Sequence, residues 1–259
     1  MNTRYKKSHL SLIIATYIFL YLPILVLIIF SFNNQKFPSH WSGFTWNWYI
    51  ELFQESALWN ACFTSFFVAT VSTIITLFMA LSLIFFHFSG GKIQKTLPLF
   101  YTNLIIPEIM LSISLLTFFV FFKVSLGITT LIIAHTVLGL GFAVPMIYSR
   151  YSQLDPSIFQ AAKTLGASSY QTFTTIVLPL LKPALISSSV LIFILSFDDF
   201  IFSCFCAGTS VETVSLYLLS MLRLGISPII NALSTLLFLI SAVAALIFLK
   251  SKSKGDNLI

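Results

Sequence analysis

Six stretches of the sequence, residues 10–32, 61–87, 97–122, 128–148, 184–204 and 229–249, are each long and apolar enough to cross a bilayer as a helix. About 20 mostly apolar residues suffice, because a helix rises about 1.5 Å per residue through about 30 Å of hydrocarbon. Such a chain cannot coat a water-facing surface. Charged residues make up 8% of it and hydrophobic residues 58%, with a mean hydropathy of +0.97, where a soluble domain carries about 25% charge. The expected fold class is an all-α membrane protein with six transmembrane helices.

An even number of crossings leaves both termini on one side, and charge says which. The chain opens on "MNTRYKKSH", and with that end in the cytoplasm all but three of the 14 basic residues (Lys36, Lys123 and Arg223) fall inside. This is the positive-inside bias. The first apolar run is too long for a signal-peptide core, so it is expected to remain as a helix. Residues 1–9 and 250–259 are then cytoplasmic ends, 33–60 an outer segment, and 61–249 the core that holds the other five spans. The net charge of +6 reflects topology and contact with lipid; no patch suited to nucleic acid stands out. Cys62, Cys204 and Cys206 lie in or beside apolar segments, without metal-site spacing. Residues two apart on a helix point away from each other, so a bridge between Cys204 and Cys206 is not expected.

In the outer segment, "WSGFTWNWYIELF" concentrates aromatic residues. Trp46, Trp48 and Tyr49 read as an interfacial belt on a short helix along the membrane, with stacking on a substrate as the alternative.

One stretch departs from the apolar pattern. Between the fourth and fifth spans, residues 151–183 form a polar, patterned insert on the cytoplasmic side. In "LDPS", Asp155 is placed to cap a helix and Pro156 to begin it. Ile158, Ala161, Ala162 and Leu165 follow at i, i+3, i+4 and i+7 and make a small apolar face. Gly166 suits a left-handed helix stop. Ser168 with Gln171 makes a capping box that starts a second helix, and Pro179 and Pro183 are expected to close it. Two capped helices with an uncovered apolar ridge suit a docking surface for a soluble partner better than a plain connection.

The same residues carry a resemblance. Gln160-Ala161-Ala162, then Gly166, then Ile176-Val177-Leu178-Pro179 keep both spacings of the EAA loop of ABC-importer permeases, with Gln160 in place of the leading glutamate. With "FTWNWY", "IIPEIMLSISLL", "SFDDFIFSCF" and "LGISPIINALST", the chain resembles the PotC-type permeases of spermidine/putrescine importers over nearly its whole length. That resemblance implies a type I ABC-importer permease (MetI-like) fold in the bacterial inner membrane, with the outer segment periplasmic. It implies a second permease, a cytoplasmic ABC ATPase dimer and a periplasmic polyamine-binding protein as partners. Gln160, Ala161, Ala162, Gly166, Ile176, Leu178 and Pro179 would couple to the ATPase. The chain itself would hold no cofactor, since ATP and magnesium belong to that partner.

Three carboxylates mark a route for cargo. An ionised side chain in mid-bilayer costs about 2.5–3.5 kcal/mol on insertion scales, so each needs a partner or a function. Glu108 lies about eleven residues into the third span, roughly 16 Å deep at about 1.5 Å per residue and so close to the midplane, and Pro107 before it suggests a local break. Asp198 and Asp199 lie about fourteen residues into the fifth span, and as neighbours on a helix only one can face a pathway squarely. The other would hold a proton or cap a break. Acids without bases suit a cationic cargo. His135 reads as a neutral histidine hydrogen-bonded between helices, and His87 as an interfacial residue.

The sequence has no phosphate-binding loop with its lysine and hydroxyl; "SGGK" at residues 89–92 lacks the upstream glycine and the hydroxyl. No enzyme signature appears, and the chain is expected not to hydrolyse ATP. Two other readings stay open: a same-fold permease for a different substrate, and a proton-coupled carrier of organic cations.

Overall fold

The structure, a computed structural model, describes residues 3–35, 40–223 and 228–239, with side chains from residue 12 onward. In chain order its helices are α1 (Thr3–Phe30), α2 (Asn47–Gln54), α3 (Ser56–Phe88), α4 (Leu97–Ile105), α5 (Glu108–Phe121), α6 (Ile128–Ser152), α7 (Pro156–Thr164), α8 (Ser169–Thr172), α9 (Leu178–Phe197), α10 (Ile201–Cys206), α11 (Val214–Arg223) and α12 (Pro228–Leu239). The one β feature among the described residues is an isolated bridge between Asn33 and Phe44.

Four helical stretches, Leu12–Phe30, Ser56–Phe88, Ile128–Ser152 and Ser169–Phe197, are long and apolar enough to cross a membrane, and the α4–α5 pair can make a fifth. The sixth expected span, residues 229–249, is described only as far as 239; the rest of it and the 250–259 tail lie outside the described residues, as does Lys36.

The chain divides into two units. One holds residues 1–58 and 218–259. Its α1 has a mean hydropathy of 2.8 over Leu12–Phe30 and buries none of it, as suits a helix solvated by lipid. The outer segment folds back on the end of that helix. Trp48 Nε1 donates to the Asn33 carbonyl at 2.7 Å, and the Ser31 and Tyr49 hydroxyls meet at 2.8 Å. Phe32, Phe44 and Trp46 pack ring on ring. The aromatic belt is thus pinned by hydrogen bonds.

The second unit, residues 59–217, is built around α6, which packs on α4, α5, α9 and α10. Of its apolar window 67% is buried. Two glycines let its neighbours approach. A Cβ at Gly139 would stand 2.8 Å from Thr76 Oγ1, and one at Gly141 2.5 Å from Asn103 Nδ2. Small residues at crossings let membrane helices meet where no hydrophobic force drives them together. The Asn103 amide uses that closeness to donate to the Val137 carbonyl at 2.7 Å.

Apolar side chains form two clusters, one around Ala80, Ile84, Val144 and Leu181 and the other around Val68, Leu131, Phe119 and Phe202. Along α3, the buried hydroxyls of Ser72, Thr73 and Thr76 fall between Val68 and Ala80. The molecule therefore carries a polar layer within its apolar body.

Three expectations need correction. The break expected at Pro107 is present and is a sharp turn, with α4 and α5 meeting at 112°. Pro107 has no N–H to give and forces Ile106 into extended geometry (ψ 132°). A depth for Glu108 counted along a straight helix therefore does not apply. Second, Pro179 and Pro183 do not end the insert's second helix. A π-helical turn at Phe173–Val177 joins α8 to α9, so that Ser169–Phe197 runs unbroken. The wide turn gives the Pro179 ring room against the preceding carbonyl. Third, the fifth span stops at Phe197 and restarts as α10 at Ile201. Cys204 is exposed and Cys206 buried, and both are free.

Gly141→Ala should destabilise the unit by about 1–3 kcal/mol, the usual range for overpacking, and lower the melting temperature in detergent. Shortening the neighbour as well, with Asn103→Ala, should recover part of the loss.

Candidate functional site

Both span breaks deliver carboxylates to one place. Pro107 ends the turn at φ −56°, and Glu108 becomes the first residue of α5, where the positive end of the helix dipole favours a carboxylate. On the other side α9 ends with the Asp198 N–H bonded to Ile194 O at 3.0 Å. Asp199 then takes up two N–H groups of the α10 first turn, from Phe202 at 3.3 Å and from Ser203 at 2.8 Å. A cavity of about 330 Å³ is lined by Glu108, Asp198 and Asp199 with Leu138, Phe200 and Ile201 among its walls, and no lining residue is basic. Glu108 and Asp198 are exposed, whereas Asp199 is 8% exposed. The three carboxylates are therefore unequal: two face open space, and the third is bonded into the helix restart.

His135 stands behind Asp199. It is 1% exposed, and its Nδ1 lies 2.5 Å from Ser196 Oγ. Nε2 lies 3.3 Å from Asp199 Oδ2, near enough to attract but off the line of a hydrogen bond, so it has no aligned partner. Ser196 continues to Ser72 Oγ at 3.3 Å. A histidine bonded between helices was legible in the sequence. That it sits against Asp199 was not, although Ser196 three residues before Asp199 is the trace of it.

The insert assembles much as its caps predict. Asp155 accepts from Ser157 N at 2.9 Å, and these backbone and side-chain bonds to Ser157 hold its carboxyl below the usual range. Gly166 is left-handed at φ +82°. Ser168 Oγ accepts from Gln171 N at 3.2 Å, and Gln171 Oε1 accepts from Ser168 N at 3.0 Å. One face differs from expectation. Ala162 is buried, while Ile158, Ala161 and Leu165 stay exposed, Leu165 at 86%. Phe159 explains this: its ring meets Phe88 and stacks on Tyr151, which turns the neighbouring face of α7 inward. Gln160 is exposed and, with Lys163, Ser168, Thr172 and Gly90, lines a cavity of about 510 Å³. Ile176 and Leu178 are half-buried, and Pro179 is exposed on the helix that continues into α9. His87, at the end of α3, bonds Gly91 O through Nδ1 at 2.8 Å and packs against Tyr148 and Tyr151.

Residues 71–251 match the family described as binding-protein-dependent transport system inner membrane component. The chain belongs to this family. The permease is 36% identical over 250 residues to the spermidine/putrescine transport system permease protein PotC of Escherichia coli (strain K12), covering 94% of each chain. It is 33% identical to the putrescine transport system permease protein PotI of the same organism, covering 87% of this chain and 84% of that one. A solved bacterial ABC transporter involved in import of the acidic polysaccharide alginate matches in fold, with a TM-score of 0.61 at 13% identity over 96% of this chain and 95% of that one. The protein is thus an inner-membrane permease subunit of an ABC importer, with a type I importer permease fold. It is not an enzyme, and a permease of this family works beside a partner permease, a separate ATPase and a substrate-binding protein.

Gly166→Val should cost at least about 1–2 kcal/mol, because a side chain in the left-handed region crowds its own carbonyl. Hydrogen exchange in the α7–α8 turn should rise several-fold, with the α3 backbone around Val68 unchanged; equal protection in both proteins would refute the strain.

Proposed function

We propose that this permease forms half of a polyamine pathway, in which Glu108 and Asp198 face the cargo and Asp199 holds the backbone that presents Asp198. One observation carries the reading: two broken spans meet at a cavity with three carboxylates and no base in its walls. Broken backbone at membrane depth is tolerated only where protein or a water-lined path receives it. Fixed carboxylates along such a path attract separated ammonium groups. The fold by itself does not choose a cargo, since a permease of similar architecture belongs to an importer of an acidic polysaccharide. The acids favour cations, and the names of the two relatives favour spermidine or putrescine among them.

In this reading both termini and the insert lie in the cytoplasm, and the outer segment faces the periplasm. The insert is the grip for an ABC ATPase dimer that holds the ATP and magnesium. Gln160, Ala161 and Gly166 form its outer surface, Ala162 seats it from beneath, and Ile176, Leu178 and Pro179 join it to α9. A second permease closes the other half of the path, and a periplasmic polyamine-binding protein delivers the cargo.

Radiolabelled spermidine and putrescine uptake in cells decides the matter. At normal expression, Glu108→Gln and Asp198→Asn should each cut uptake about tenfold or more, the scale of one lost charge contact. Wild-type uptake in both would sink the pathway assignment. Ala161→Glu should abolish uptake and release the ATPase on purification; retention of both would rule out the docking role.

A further inference from the structure

We propose that His135 is a positioning residue for the acid cavity: it fastens both sides of the break after Phe197 and, through Asp199, fixes where Asp198 stands. The inference rests on the reading of Glu108 and Asp198 as cargo-facing. Its basis is that one imidazole reaches two segments that the backbone no longer joins as a helix. Nδ1 is bonded to Ser196 in the last turn of α9 at 2.5 Å, and Nε2 is 3.3 Å from Asp199, which holds the first turn of α10. The Phe202 ring meets the imidazole edge-on from that same turn. Phe197 and Asp198 are the two residues between these attachments.

The hydrogen placement follows from the neighbours. A bare ring nitrogen facing a carboxylate would repel it, so Nε2 carries a proton. In the neutral ring Nδ1 is then the acceptor and Ser196 Oγ–H the donor, with Ser72 behind it. Asp199 Oδ2 receives Ser203 N–H and has the imidazole N–H beside it at 3.3 Å, and Oδ1 receives Phe202 N–H. Both of its oxygens are occupied by the protein, which withholds this carboxylate from cargo. Without the imidazole, the two N–H bonds remain but nothing ties them back to α6 and the end of α9. The Asp198 carboxylate then loses its fixed place in the cavity it lines with Glu108.

The test uses the complete importer in proteoliposomes, with cargo transported per ATP hydrolysed as the readout. A general packing defect lowers the amount of assembled complex; a misplaced Asp198 lowers the transport ratio in complexes that assemble and hydrolyse ATP normally. His135→Phe keeps a planar ring and removes both ties, and should lower the ratio about tenfold, the scale of one lost polar contact to a charged group. His135→Gln, whose amide reaches Asp199, should recover most of it. In an Asp199→Asn background, His135→Phe should cost little more, because residues acting through one another do not add. A further tenfold loss in that background would overturn the proposal, as would a normal ratio in His135→Phe. Should His135→Phe fail to assemble, His135→Asn, which keeps the Ser196 tie and loses the Asp199 one, carries the same cycle. Wild-type uptake in Glu108→Gln and Asp198→Asn would instead defeat the underlying pathway reading, so the two failures are distinguishable.

Discussion

A backbone inside a bilayer has no water to bond, so every N–H and C=O must find a partner within the protein or line a wet cavity. The permease keeps that rule along most of α6, Pro145 apart, and departs from it most in the two spans that flank the acid cavity. At Pro107 the chain removes a donor outright. After Phe197 it leaves the first N–H groups of α10 without helical partners, and Asp199 supplies the acceptors. A carboxylate in lipid and a broken helix are each costly alone. Placed together they offset each other, because a carboxylate is the strongest acceptor for orphan N–H groups. The unfavourable features are thereby gathered at one site, and the rest of the unit packs as ordinary helix.

Close packing around α6 is the condition for this arrangement. Gly139 and Gly141 bring α3, α4 and α9 near enough for polar side chains to bond across helices, as Asn103 does to Val137 and His135 to Ser196. Such bonds contribute about 0.6 kcal/mol on average in a membrane interior, so their value is less in stability than in fixing register. The layer of small hydroxyl residues between two apolar clusters therefore acts through geometry, holding the broken helices where their carboxylates converge.

Much of this was legible in the sequence wherever the rule is local. Apolar length gave the spans that the described residues cover. Cap chemistry at Asp155, Gly166, Ser168 and Gln171 gave the insert turn by turn, because each of those residues bonds to backbone within a few positions. Long-range competition was not legible. The i, i+3, i+4 pattern put Ala162 on the same ridge as Ala161, but the larger Phe159 found rings at Phe88 and Tyr151 and turned that flank inward. Pro179 reads as a stop, yet a single π turn upstream accommodates it. The carboxylates could be found one at a time, whereas their convergence depends on a 112° bend that no spacing encodes.

The continuous helix from Ser169 to Phe197 gives the proposed coupling a mechanical path. Had Pro179 ended the insert, motion of an ATPase-bound grip would reach the fifth span only through a loop, which absorbs displacement by bond rotation. A helix of 29 residues is about 43 Å long and transmits a tilt from end to end. Its near end is capped by Ser168 and Gln171 beside the grip, and its far end is Asp198 at the cavity. The π turn at Phe173–Val177 and Pro183 inside α9 are irregular points on this rod, and π turns recur at functional sites. The π turn lies close to the grip, where Phe173 packs against Phe85 and Phe88, and no further proline interrupts the length beyond Pro183. Flexure is therefore favoured at the insert end and at Pro183, and in the proposed coupling the segment beyond, which bears Ser196 and Asp198, would move as one body against α6. His135, on α6, is the contact across which that motion would be felt.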